Sequence, residues 1–254
     1  YSTLIAKARN ILRQAHADAT TWSGSVLMPL MHQIKDHKKQ IENRLQMLKK
    51  MNDSKGTVAE NIAALEAEIA ELASINVARG VRRLIQNQPD PEFVLRPDVI
   101  AATKLLPKYN LSFDLCIFHH QLKNTIAYVR ACPDVFFIMD HIAKPGIKAG
   151  LVEPWKTDIR ELASLPNVVC KLSGVTTEAD HDHWTPAQLK PYIDHVIDVF
   201  GFDRLMYGGD WPVSELAGPY TAWLDVLDNI TASCSDSERR KLFRENARKF
   251  YRLA

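Results

Sequence analysis

The chain has 254 residues, of which 46% are hydrophobic and 24% charged, with 32 basic against 30 acidic side chains. These fractions are typical of a globular domain and are too apolar for a disordered chain. The net charge of +2 gives no reason to expect a nucleic-acid or membrane-surface partner, and no apolar run approaches the roughly 20 residues that cross a bilayer. Its four cysteines show no CxxC spacing, so neither a zinc ribbon nor a disulfide framework is indicated, and a reducing cytoplasm is the predicted location.

Glycine and proline are distributed unevenly along the chain. Only two of the ten glycines and one of the thirteen prolines precede position 80. Turn-forming residues therefore punctuate the later part and are scarce in the earlier part. We predict a boundary near residues 74–78, with one domain over residues 1–75 and another over residues 76–254.

The first segment has the apolar spacing of helices. One stripe repeats with the spacing 4-3-4-3, and its members are Val58, Ile62, Leu65, Ile69 and Leu72. Residues 52–56 form a strong turn signal before it, and a similar apolar rhythm lies upstream. We predict an antiparallel, coiled-coil-like helical hairpin, preceded by a helix around residues 3–18. This segment favours a role in packing or homo-oligomerisation and shows no chemistry.

In the second segment, short apolar runs alternate with helical patterns. The predicted strands are 77–84, 112–118, 135–140, 168–172 and 204–207. The predicted helices are 97–109, 121–131, 155–165, 186–200, 219–230 and 236–250. This alternation indicates repeated βα units and hence an α/β fold with a parallel sheet. In such folds the chemistry gathers at the carboxyl ends of the strands.

Three of these strand ends carry polar residues. The strand ending near residue 118 is followed by His119 and His120, and the next strand is followed by Asp140 and His141. A glycine pair and Asp210 follow the last strand. A single such residue is more often a cap or turn residue than a catalytic one. Three on successive strands favour a site at this edge.

Four separated motifs resemble the amidohydrolase-related family, in the branch of sugar-lactone hydrolases and pyrone-dicarboxylate lactonases. They occur in the family's order, at residues 79–86, 139–145, 170–174 and 208–213. The resemblance covers about residues 77–254. It implies a (β/α)8 TIM-barrel-like fold, of which the five predicted strands would be the later part, strands four to eight.

The resemblance also implies roles for individual residues. Asp210 matches the carboxylate that ends strand eight and binds metal or activates water, and His141 matches the histidine that ends strand six. These two are therefore the expected catalytic residues and the expected metal ligands. The expected substrate-binding residues are Arg82, Arg83, His119, His120 and Trp211.

This residue set suits the opening of a lactone of a sugar acid or a dicarboxylate. A carboxylate such as Asp210 can take a proton from the attacking water and later return it to the departing oxygen. A histidine or arginine can stabilise the oxyanion. A divalent metal, zinc or manganese, can activate the water, and a metal-free reaction is the other alternative.

The first segment departs from the family pattern. The family begins with a strand that ends in His-x-His, and residues 1–76 contain no such motif. The spacing occurs at His181 and His183, where a solvated loop is favoured over a metal cluster with Asp180 and Asp182. Two alternatives to a hydrolase follow: a non-catalytic barrel remnant assembled through its hairpin, or a chain that joins unrelated pieces.

Overall fold

The computed structural model describes residues 58–75 and 77–253. The chain divides into two compact units, residues 1–61 and 62–254. The predicted helix around residues 3–18 and the hairpin turn at 52–56 lie outside the described residues. The domain boundary predicted after residue 75 stays a prediction.

Five strands form one parallel sheet in which each strand pairs with its neighbour in sequence. They are β1 (Gly80–Leu84), β2 (Ser112–Cys116), β3 (Phe137–Met139), β4 (Val168–Leu172) and β5 (Leu205–Tyr207). This sequential order is that of successive strands in a barrel wall. The predicted α/β fold, with about five βα units of a TIM-barrel-like architecture, is confirmed.

Helices follow the strands as predicted. They are α1 (Val58–Ser74), α2 (Pro97–Thr103), α3 (Leu122–Ala131), α4 (Trp155–Ala163), α5 (Pro186–Phe200), α6 (Tyr220–Ile230), α7 (Asp236–Arg240) and α8 (Asn246–Phe250). Of the helices within the described residues, none combines the length and the apolar character that a bilayer-spanning segment needs.

Two predicted helices are interrupted. The helix predicted over 97–109 ends at Thr103, and a 3-10 turn follows over Leu106–Tyr109. Pro107 accounts for the break, because its ring cannot continue an α-helix and supplies no N–H. The helix predicted over 236–250 contains a π-helical turn, Lys241–Glu245, after which the Asn246 amide donates to the carbonyl oxygens of Phe202 and Leu205.

The main core lies between the sheet and the helices. Buried side chains of β2, β3 and β4 supply one side, including Phe113 and Phe137, which make edge-on ring contacts with Tyr128 of α3. Strands β2 to β4 are buried on both faces of the sheet, which explains why they are mostly apolar, as is typical of parallel sheets.

The opposite face of the sheet carries a small apolar cluster and a polar network. Ile138, Val169 and Met206 pack there against Phe250 of α8. The hydroxyl of Tyr251 donates to Asp114 Oδ2 across 2.6 Å, so the end of the chain reaches β2. Polar side chains on this face extend from the apolar cluster toward the carboxyl ends of the strands.

Candidate active site

A left-handed turn presents His141 directly after β3. His141, Ile142, Ala143 and Lys144 all have positive φ, between 47° and 61°. Non-glycine residues rarely adopt this conformation, and for a β-branched residue such as Ile142 it is exceptional. Such strain persists only where the surrounding structure imposes it, and it clusters at functional sites.

Buried contacts hold this turn in place. The indole of Trp155 donates to the carbonyl oxygen of Ile142 across 2.8 Å, and Ile142 and Ala143 are fully buried. Gly174, after β4, lies so close that an added Cβ would stand 2.8 Å from His141 Nδ1. The neighbouring loops therefore fix the position of the imidazole ring.

His141 and Asp210 come together at the carboxyl edge of the sheet. His141 Nε2 lies 3.6 Å from Asp210 Oδ1, and both side chains are largely buried. Asp210 also has a positive φ, 53°. Thr177 Oγ1 donates to the carbonyl oxygen of Gly174 across 2.9 Å and lies 3.4 Å from Asp210 Oδ2. The two residues predicted to be catalytic thus share one site.

Burial lowers the pKa of His141 to about 4, against the opposing effect of the Asp210 carboxylate, and Lys144 and Arg82 lower it further. The ring is therefore neutral near neutral pH. The Ser173 hydroxyl lies 2.9 Å from Nδ1. A neutral ring that accepts this hydroxyl proton at Nδ1 carries its own proton at Nε2, facing Asp210.

An ion network lies near His141, on the face of the sheet that carries the small apolar cluster. Lys171 Nζ lies 2.7 Å from Asp140 Oδ1 and 2.7 Å from Asp114 Oδ2, and Arg82 lies 3.4 Å from Asp140 Oδ2. Burial alone would lower the pKa of Lys171, yet the two carboxylates raise it above its ordinary value. Burial raises the pKa of Asp114 even though Lys171 lowers it.

A second carboxyl lies on the same edge. Glu178 follows β4 on the 3-10 turn Thr176–Glu178, and its Oε1 lies 3.9 Å from Lys144 Nζ. Burial raises the pKa of Glu178, Lys144 lowers it, and the charge of Asp210 raises it again. Glu178 is thus electrostatically linked to the His141–Asp210 pair.

The remaining predicted substrate-binding residues lie at different places. The guanidinium of Arg83 lies 5.0 Å from the ring centre of Phe93, whereas that of Arg82 reaches Asp140. The His120 ring stacks on Phe118 with the His119 ring edge-on to it, and burial lowers the pKa of His119.

Trp211 follows Asp210 directly and is 67% exposed. Its indole donates to Glu215 across 3.1 Å. The substrate-binding roles of these residues stay predictions.

The site offers donors for a divalent metal but falls short of a closed set. The 3.6 Å between His141 Nε2 and Asp210 Oδ1 is close to the roughly 3.3 Å that separates two ligands of a tetrahedral zinc ion. Cys116, Asp140 and His141 form a second buried group of donors. Asp140, however, is already paired with Lys171 and Arg82. Catalytic zinc sites commonly use three protein ligands. Cys116 is also free of such pairing, but among the described residues it groups with Asp140 and His141 and not with Asp210.

The loop that contains His181 and His183 holds a second cluster of possible metal donors, distinct from the His141–Asp210 pair. Asp180, Asp182 and His183 bring donor atoms together there, with Asp182 and His183 exposed, and Lys148 lies 3.2 Å from Asp180. This exposure is consistent with the solvated loop favoured from the sequence.

Sequence reasoning missed several residues that border His141, namely Asp114, Lys171, Ser173, Thr177 and Glu178. Two signals point to them. Asp114 and Lys171 are charged residues within otherwise buried strands, and the other three directly follow β4. The rule that chemistry gathers at strand ends, applied to β4 as well, would have included the last three.

Comparison with known proteins decides the family. A family model described as Amidohydrolase matches residues 45–253. The chain belongs to the amidohydrolase family. Its match begins within the segment predicted to be a helical hairpin.

Two relatives are informative. An L-fucono-1,5-lactonase of Burkholderia ambifaria is 37% identical over 195 residues, which are 74% of this amidohydrolase chain and 66% of the relative. An amidohydrolase structure from Burkholderia multivorans, with bound zinc, is 31% identical with a TM-score of 0.70, covering 75% of this chain and 71% of that one. The curated relatives are matched over 61% to 66% of their length, so this chain spans somewhat less than two thirds of each.

The fold extends to more distant structures. A putative 2-pyrone-4,6-dicarboxylic acid hydrolase from Pseudomonas putida has a TM-score of 0.59 at 22% identity, covering 74% of this chain and 68% of that one. At this identity the likeness shows the fold alone.

Proposed function

We propose that this protein hydrolyses a lactone, with Asp210 as the general base that activates water. The observation that carries the proposal is the approach of Asp210 to a neutral His141 at the carboxyl edge of the sheet. The similarity to an L-fucono-1,5-lactonase supports the lactone as substrate. A non-catalytic remnant that assembles through its hairpin is less favoured, since such a remnant has no need of a strained, buried His–Asp pair.

The chemistry begins with water attacking the lactone carbonyl carbon. Asp210 takes the water proton as the new C–O bond forms. His141 Nε2–H donates to the carbonyl oxygen as that oxygen becomes negative, which is the role of an oxyanion donor. In this scheme the Ser173 hydroxyl, 2.9 Å from Nδ1, donates to that nitrogen and so keeps the proton of His141 on Nε2. The ring C–O bond then breaks, and the departing oxygen needs a proton.

The charges around the site favour an uncharged lactone of a sugar acid over a dicarboxylate. Two of the cations near His141 are paired with carboxylates on the sheet: Arg82 faces Asp140, and Lys171 faces both Asp114 and Asp140. A carboxylate-bearing substrate would have to compete for cations that are already paired. Hydroxyl groups can instead bond to the oxygens of these carboxylates.

The test is hydrolysis of two panels by purified protein, one of sugar 1,4- and 1,5-lactones and one of pyrone dicarboxylates. We expect turnover of sugar lactones, and Asp210→Asn should lower kcat at least about 100-fold because the amide cannot accept the water proton. Asp198→Asn, an exposed carboxylate of α5, is the matched control and should retain wild-type rates.

Buffer-level rates for the wild type on both panels would overturn the proposal. Preference for the dicarboxylates would retain lactone hydrolysis but contradict the charge argument. The cytoplasmic location and a homo-oligomeric state remain predictions from the sequence.

A further inference from the structure

Glu178 has the position of a second catalytic carboxyl. Two contacts link the loop of Glu178 to the His141–Asp210 pair. Asp210 contacts Thr177, the residue before Glu178, and Glu178 faces Lys144. Lys144 ends the left-handed turn that begins at His141, and His141 in turn contacts Asp210. The two carboxyls therefore lie on neighbouring loops, after β4 and β5, close enough for the charge of Asp210 to act on Glu178.

Within the described residues, no group forms a hydrogen bond to the Glu178 carboxyl, so the side chain contributes little to holding the fold together. Its side chain is 20% exposed, and its ion-pair contact within the described residues is the 3.9 Å approach of Lys144, which is longer than a hydrogen bond. By contrast, Asp114 on the same sheet contacts both Lys171 and Tyr251 at hydrogen-bonding distance.

We propose that Glu178 is the general acid that protonates the departing ring oxygen of the lactone. This assignment rests on the proposed function. As the tetrahedral intermediate collapses, the ring C–O bond breaks and the carboxyl proton of Glu178 passes to the leaving oxygen, giving the hydroxy acid. Asp210 then releases the proton it took from water, and Glu178 takes one up from solvent, so that both carboxyls return to their starting states.

The electrostatic surroundings agree with this division of labour. Burial and the charge of Asp210 raise the pKa of Glu178, while Lys144 and His181 lower it. Two carboxyls whose surroundings differ are the usual arrangement when one acts as an acid and the other as a base. Lys144 acts as a positioning residue, since its ammonium faces the carboxyl from the turn that presents His141.

The decisive experiment varies the leaving group. A sugar lactone expels an alkoxide, which needs a proton, whereas dihydrocoumarin expels a phenolate, which is stable without one. We expect Glu178→Gln to lower kcat/KM about 100-fold for the sugar lactone and less than about fivefold for dihydrocoumarin. Asp210→Asn should impair both substrates alike, and Glu161→Gln, an exposed carboxyl of α4, should impair neither.

A pH profile supplies the second readout. The general acid must be protonated, so the wild-type kcat/KM for the sugar lactone should fall on the alkaline side, and this limb should be absent from Glu178→Gln. Glu178→Asp keeps the carboxyl and should recover part of the sugar-lactone rate. The pH profiles decide the matter if the wild type does not accept dihydrocoumarin. If Glu178→Gln folds poorly, Glu178→Asp decides it, because this variant should keep the alkaline limb.

Equal losses on the two substrates, or an unchanged alkaline limb, would overturn the role of Glu178 and leave lactone hydrolysis standing. A wild-type protein inactive on every lactone would instead overturn the proposed function itself. The two failures are therefore distinguishable.

Discussion

At the scale of single residues, the site depends on backbone conformations that side chains other than glycine rarely adopt. His141 and Asp210 both have positive φ, and each directs a functional group to the same point. The cost of about 1–2 kcal/mol for each such residue is offset by the burial and hydrogen bonding of the turn. Gly174 belongs to this arrangement because its missing side chain leaves room for the His141 ring.

The variant Gly174→Ala tests whether the position of the His141 ring depends on the missing side chain of Gly174. The new Cβ would lie within 2.9 Å of three atoms of His141, at a φ of +63°. We expect a loss of at least about 1–2 kcal/mol in the free energy of unfolding from the backbone alone, and about a tenfold or greater loss of kcat from displacement of the ring. Urea denaturation and lactone hydrolysis measure the two effects.

The matched control is Gly150→Ala. Gly150 has a similar φ, +66°, but an added Cβ would meet no atom within 4 Å. Gly150→Ala should lose a similar amount of free energy of unfolding to backbone strain, but it should keep the wild-type kcat. Equal kcat values for the two variants would show that the position of the His141 ring does not depend on Gly174.

At the scale of elements, one lysine links three strands. Lys171 of β4 bridges Asp114 of β2 and Asp140, the residue that follows β3. Asp140 is fully buried and leads directly into the left-handed turn. The network therefore neutralises buried charge and fixes the point from which His141 departs.

Lys171→Met should be strongly destabilising, because it leaves Asp114 without a facing cation and Asp140 with only Arg82. Removing one partner of a buried pair commonly costs about 3–5 kcal/mol, which urea denaturation measures. Adding Asp140→Asn to this variant should recover part of the loss by removing one buried charge.

The control is Lys190→Met on α5. This lysine forms an exposed pair with Asp194, one helical turn away, and such pairs contribute roughly 0.5 kcal/mol or less. A Lys171→Met protein as stable as the Lys190→Met protein would show that the network does not hold the strands together.

At the scale of the whole molecule, the supply of metal donors bears on how water is activated. Within the described residues, His141 and Asp210 are one ligand short of the usual catalytic zinc set, and Asp140 is taken by cations. Asp210 alone suffices as a base if the reaction needs no metal.

We therefore expect lactone hydrolysis to survive chelation. Prolonged treatment with EDTA followed by dialysis should leave kcat/KM within about twofold of the untreated value. A zinc-dependent hydrolase treated in parallel shows that the chelation was effective. Loss of activity that returns on addition of zinc or manganese would contradict the expectation and show that a third ligand completes the site.

The sequence by itself determined the arrangement of strands and helices in the later part of the chain. Short apolar runs at the spacing of βα units and apolar helical stripes were enough to locate β1 to β5 and α3 to α6, although β1 carries two arginines. Pattern failed where one residue interrupts a helix, as Pro107 does, or where a π-helical turn keeps the helical rhythm, as before Asn246.

The same logic applies to the site. His141 and Asp210 stand at strand ends and match a family motif, so the sequence could single them out. Only the tertiary structure decided that Glu178 faces Lys144 and that Ser173 contacts His141. Those contacts join residues far apart in the chain through backbone turns of positive φ, and no local pattern encodes them. Periodicity is a property of neighbouring residues, whereas a catalytic site arises from the convergence of separate strands.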